Sequence, residues 1–180
     1  RDMLYLIENG ISALNAHTNL DCAPGGVNDC LARKVGLEQV EVIDPIGTDG
    51  EGRAYGLLRG GVVNPMKPEA FVAHVASVFA SPQASLRWVE GASKTIRKVA
   101  LCGGAGAEFV EQAIEQGADA YISADFKYHE LQAAYQRITV VDMDHWVSEH
   151  FTREIFQQLL SPYIRTRIAA TDKSPIIYHH

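Results

Sequence analysis

The sequence contains no run of about 18 apolar residues, so no stretch of it is long enough to cross a bilayer as a helix. Positive charge is also scarce. Sixteen Lys and Arg against 22 Asp and Glu leave a formal net charge of -6, which gives no basic footprint for nucleic acid. Cysteine is sparse and unpaired in pattern. Cys22, Cys30 and Cys102 form no CxxC, and three of them cannot make a complete disulfide framework, which points to a reducing cytoplasm. A secretory leader is not evident, because Met3 to Leu14 is interrupted by Glu8, Asn9 and Gly10. No GxSxG elbow, Walker lysine, internal repeat, low-complexity tract or long linker is present. What remains is a soluble protein acting on something small, and 180 residues that are 47% hydrophobic can bury the core of one domain over 1–180.

The local patterns predict an α/β fold, a largely parallel or mixed sheet flanked by helices. Leu4 to Asn9 reads as the end of a helix closed by Gly10, and Ile11 to Ala16 as a short buried strand leading into a polar cluster, His17 to Asp21. A helix is predicted over Val27 to Val35 with Gly36 as its stop, then a strand over Val40 to Ile46 and a bent, glycine-rich strand over Ala54 to Val63. Pro68 to Ala80 reads as a helix with Phe71, Val75, Val78 and Phe79 inward, and Ser85 to Val89 as an edge strand. The pattern is then regular: strand Lys98 to Cys102, a glycine-rich loop, helix Glu108 to Gln116, strand Asp119 to Ser123, helix His129 to Gln136, strand Ile138 to Asp142 and one final helix. Val147, Phe151, Ile155 and Leu159 form the buried stripe of that helix. Such alternation implies βαβ crossovers, which deliver polar residues to one edge of the sheet.

Four stretches could carry chemistry. His145 and Glu149 are four residues apart on a helix that follows a strand, so an imidazole and a carboxylate share one face and could hold the same divalent cation. A solvent-exposed ion pair meets the same spacing. His17-Thr18-Asn19-Leu20-Asp21 offers a carboxylate that could bridge two metals, or that simply caps the turn into Pro24-Gly25-Gly26. Ser123 to His129 places Asp125, Lys127 and His129 after another strand, where they could serve as acid, base or anion-binding groups, or as a helix cap with an exposed lysine. Cys102-Gly103-Gly104-Ala105-Gly106 could offer backbone amides to a phosphate or merely allow tight strand-to-helix packing. With Phe109 at the third glycine position it is not a dinucleotide fingerprint.

Taken in order, AHTNLDCAPGGVND (Ala16 to Asp29), the CGGAG loop, SADFKYHE (Ser123 to Glu130) and DMDHWVSE (Asp142 to Glu149) resemble the Nif-three family, the NGG-one-interacting-factor-like proteins also labelled GTP cyclohydrolase I type 2 homologues. The resemblance implies a dinuclear centre of two divalent metal ions (Zn, Fe, Mn or Mg), a small-molecule and nucleotide-like substrate, and a homo-hexameric ring. It carries metal ligation onto Asp21, His145 and Glu149, with Asp21 as the bridge, and substrate or outer-sphere contacts onto His17, Lys127 and His129. The implied function is that of a metal-dependent hydrolase, with a non-catalytic ring-forming scaffold as the alternative. The family's adjacent His-His pair has no counterpart here, which, with Arg1 at the start in place of Met, reads as an N-terminally shortened chain whose metal site is incompletely filled. The path from Gly61 to Ile96 leaves no room for the inserted domain of some members, and His179 and His180 read as a tag remnant.

Overall fold

The structure, a computed structural model, describes residues 2–79 and 86–160. In chain order the helices are α1 (Asp2–Glu8), α2 (Thr18–Cys22), α3 (Val27–Val35), α4 (Pro68–Val78), α5 (Val110–Glu115), α6 (Tyr128–Ala134), α7 (His145–Glu149) and α8 (Thr152–Leu160). The strands are β1 (Glu38–Ile43), β2 (Gly47–Thr48), β3 (Ala54–Tyr55), β4 (Leu58–Met66), β5 (Arg87–Val89), β6 (Ile96–Ala105), β7 (Ala120–Ala124) and β8 (Thr139–Met143). A 3-10 turn at Ala107–Phe109 leads into α5. The main sheet runs β1-β4-β6-β7-β8-β5, and β2 and β3 form a separate small hairpin.

The sheet is mixed. Only β6-β7 and β7-β8 are parallel, the two pairs joined through α5 and α6, and the remaining pairs are antiparallel. Alternation along the central strands divides the core into two layers. From β6, Val99 and Leu101 join Ile122, Val141 and Met143 beneath α3, α4, α7 and α8. Ala100 and Cys102 point the other way, with Tyr121, Val140 and Ile138, against α5, α6 and Phe126. With both faces covered, β7 and β8 are buried along their whole length.

Several predicted elements take a different form. Residues 11–16 make no strand and lie mostly in solvent, with Leu14 94% exposed, and no strand among the described residues pairs with them. The polar cluster behind them is therefore the helix α2 and not a strand end. Gly103 to Ala105 continue β6 where a loop is predicted. In α4, Val72 joins Phe71, Val75 and Phe79 in the buried stripe, which turns Val78 outward; the predicted end of that helix at Ala80, like Ser85 at the start of the edge strand, falls outside the described residues. The final helix is two helices. The Thr152 hydroxyl donates to the Glu149 carbonyl at 2.5 Å, α7 ends there, and Phe151 is fully buried at the break. Val147 and Ile155 hold to the predicted stripe, whereas Leu159 is 54% exposed near the end of α8. The α3 prediction stands, with Gly36 ending it at φ 83 in the left-handed region that glycine adopts without strain. His179 and His180 lie outside the described residues.

Candidate functional site

The parallel strands β6, β7 and β8 end side by side, and the polar residues that follow them gather there. The register of β6 against β7 shifts between Leu101 and Ala105, so the Gly103 and Gly104 amides leave the ladder and need other partners. Side chains supply them. Gly103 N–H donates to Asn28 Oδ1 at 2.6 Å and Gly104 N–H to Ser148 Oγ at 2.9 Å, while Ser123 Oγ donates to the Gly104 carbonyl at 3.0 Å. Asn28 Nδ2 also donates to the Asp21 carbonyl at 3.1 Å, and Ser148 Oγ to the His145 carbonyl at 2.7 Å. Buried Asn28 and Ser148 thus tie α2 and α7 to the end of β6.

Asp144 caps α7 by accepting from Val147 N–H at 3.2 Å, and the helix then presents His145 and Glu149 on one face, His145 Nε2 lying 3.4 Å from Glu149 Oε1. The other ring nitrogen, Nδ1, lies 2.6 Å from Asp125 Oδ2. Gly104 lies against this pair. A Cβ there would sit 2.5 Å from Glu149 Oε1 and 3.4 Å from His145 Nε2, and the backbone has φ 67, so only glycine lets the end of β6 come this close to the pair.

Electrostatics links α2 to the same place. The Asp21 carboxyl is pushed up to about 6, first by burial and then by the negative charge of Glu149, with His17 and His145 opposing. The Glu149 carboxylate, followed by Asp125, raises the His145 imidazole to about 9 against the effect of burial. Asp21, His145 and Glu149 therefore sense one another's charge. Among the described residues, however, no group of three or more His, Cys, Asp or Glu side chains is arranged so that it could hold a metal ion. One imidazole nitrogen and two carboxylates suit a divalent cation chemically, and His145 and Glu149 already form a two-donor edge packed on Gly104. These residues fit one side of a centre that needs further donors.

The other predicted residues lie further out. His17 is exposed, with Nδ1 3.2 Å from Thr18 Oγ1, and stays close enough to Asp21 to lower its pKa. Lys127 and His129 are exposed at the start of α6, where Lys127 N–H donates to Glu130 Oε2 at 2.7 Å. The three cysteines are buried free thiols, and burial pushes Cys102 up to about 12, so none is poised as a nucleophile. A largely apolar pocket of ≈ 370 Å³ opens beside α2, lined by Thr18, Asn19, Cys22, Ala23, Pro24 and Tyr55, with Asp49 at its edge.

Sequence reasoning missed Arg59. It lies buried in β4, paired with Asp29 of α3, and donates from Nη1 to the Gly56 carbonyl at 2.6 Å and from Nη2 to the Cys22 carbonyl at 3.2 Å. Through Cys22 it holds the end of α2, and so Asp21, in place. A lone charge inside the apolar run AYGLLRGGVV was the available signal.

The family model of Duf34/NIF3 (NGG1p interacting factor 3) matches residues 1–175. The chain belongs to this family. Among curated Duf34/NIF3 relatives, a GTP cyclohydrolase 1 type 2 homolog of Streptococcus pneumoniae is 30% identical over 155 residues, a match covering 83% of this chain and 56% of that protein. A crystal structure of a Staphylococcus aureus hypothetical protein superposes with a TM-score of 0.81 at 26% identity, covering 98% of this chain and 71% of that one. A Bacillus cereus protein related to NIF3 shares the fold with a TM-score of 0.78 at 22% identity, over 96% of this chain and 75% of its own. The chain spans about half the length of the curated Duf34/NIF3 relatives it matches. No helix among the described residues is long and apolar enough to cross a membrane.

Proposed function

We propose that this protein is a metal-dependent hydrolase of small nucleotide-like or phosphoester molecules, working at the cluster of Asp21, His145 and Glu149. The observation that carries this reading is the half-buried Asp21 carboxyl, raised to about 6 by burial and by Glu149. Two carboxylates repelling one another at the mouth of a sheet form an environment that a cation would relieve. The name of the curated relatives, GTP cyclohydrolase 1 type 2 homolog, supports a nucleotide substrate.

Bound divalent ions would supply Lewis acidity and an activated water, and the two-ion site implied by the family resemblance draws on donors beyond these three residues. Within this chain, Asp21 and Glu149 offer carboxylate oxygens and His145 offers Nε2. The pocket against Pro24 and Tyr55 would exclude water from the apolar part of a substrate beside α2. His17, beside Asp21, would move a proton there, and Lys127 and His129 would meet an anionic group arriving from solvent.

The test is to purify the full-length protein, measure its divalent metal by elemental analysis and assay GTP and a nucleotide panel with and without chelator. Turnover that a chelator abolishes and metal restores is expected; turnover indifferent to chelator, or absent with metal bound, overturns the reading. A second reading, a ring-forming scaffold acting in the cytoplasm without catalysis, draws on α1. Its Met3, Leu4, Tyr5 and Ile7 are all more than half exposed, a face suited to packing between copies in a homo-hexamer. Ala at Asp21 separates the two, since activity should vanish under the first while assembly persists under both.

A further inference from the structure

Resting on the metal-binding reading above, we propose that Asp125 is the positioning residue of the site, gripping Nδ1 of His145 so that Nε2 is the nitrogen presented towards Glu149. The grip is direct, with Asp125 Oδ2 at 2.6 Å from Nδ1 and Nε2 turned to Glu149 Oε1 at 3.4 Å. An acceptor on Nδ1 selects the tautomer whose lone pair is on Nε2, and ligating histidines generally hand their second N–H to such a group.

The backbone around Asp125 is built to hold it there. Asp125 has φ 60, a left-handed conformation that few residues other than glycine, asparagine and aspartate adopt. Both neighbours impose it. Ala124 is buried as the last residue of β7, paired with Met143 and Ala105. Phe126 is buried with its ring edge-on to Tyr121 at 6.2 Å, and its carbonyl accepts from Arg87 Nη2 at 2.7 Å. Arg87 is itself paired with Asp142 at the end of β8. The chain between β7 and α6 is thus fixed on both sides of one exposed carboxylate. Helix capping does not account for that carboxylate, because α6 begins at Tyr128 with Lys127 as its cap residue and Glu130 receives the Lys127 amide.

The experiment titrates Co²⁺ into the full-length protein, following its visible absorption, for wild type, Asp125→Gly, Asp125→Asn and His145→Ala. Glycine adopts φ 60 without strain, so Asp125→Gly should still fold, with its metal-free melting temperature lowered only by the loss of the His145 contact. It is expected to bind Co²⁺ about 10- to 100-fold more weakly with an altered spectrum. Asp125→Asn, whose amide oxygen still accepts from Nδ1, should stay close to wild type. Wild-type affinity and spectrum in Asp125→Gly, while His145→Ala loses binding, would overturn the positioning role and leave the metal site standing. Asp125→Asn as weak as Asp125→Gly would overturn it too, since charge and not the grip would then matter. A wild type that binds no Co²⁺ would remove both the site and this role.

Discussion

At the scale of single residues, the site joins two carboxylates that repel one another to an imidazole that both Glu149 and Asp125 attract. Asp21 is held above its ordinary value of 3.8, at about 6, and His145 above 6.5, at about 9. Both groups bind a proton more tightly in the folded chain than in the unfolded one, so their contribution to stability falls as pH rises. For Asp21 that contribution is complete below about 4 and lost through about 6; for His145 it is complete below 6.5 and lost through about 9. Metal-free protein should therefore lose stability between pH 4 and 9 on account of this cluster. Asp21→Asn should flatten the acid half of that slope and be more stable than wild type at pH 7 in chelator, the gap closing near pH 4. Denaturant unfolding at a series of pH values checks this; a gap that widens towards pH 4 would contradict the assignment.

At the scale of elements, what the sequence revealed and what it hid divide along a physical line. Helix α3 was legible because its apolar period and the Gly36 stop agree. Strands β7 and β8 were legible because strands buried on both faces read as continuous apolar runs. Residues 11–16 misled because Ile11 to Ala16 has a strand's composition, while strand formation depends on a partner that local pattern does not encode. The break between α7 and α8 was hidden for a related reason, since the 147–151–155 stripe runs across it without losing phase. Of the site, His145 and Glu149 were readable from spacing. The contact from Asp125 crosses between two strand ends, and only the register of β7 on β8 makes it.

Arg59 is the element-scale counterpart. It joins β4, α3 and the end of α2 through one guanidinium whose side chain is only 1% exposed. Arg59→Met keeps much of the volume but leaves Asp29 without its counter-charge and takes a donor from the Gly56 and Cys22 carbonyls, at a cost on the order of 3 kcal/mol. Urea unfolding should show a loss of that size, with the pocket beside α2 loosened as well. A change near zero would mean that water replaces the guanidinium without penalty.

At the scale of the whole molecule, stability is concentrated at the centre of the sheet and thins outward. β7 and β8 are wholly buried, whereas α1 carries no buried residue and 11–16 have little around them. Amide hydrogen exchange should run slowest in β6, β7 and β8 and fastest in 2–16, with α2 slower than α1 because Asn28 and Arg59 hold its carbonyls. Protection in α1 equal to that of β7 would show that α1 is covered in the full protein by something beyond this chain.

The two borders of the main sheet share a property that matters for how copies can meet. On one border, β1 carries Glu38 and Glu41 and is thrown out of register between them, with Gln39 at φ 53. On the other, β5 offers only Arg87 to Val89. A charged, irregular border and a three-residue one give a foreign strand little to zip onto. Among the described residues the borders of the main sheet therefore disfavour a sheet shared between copies, and contacts between side-chain surfaces are the easier route to assembly.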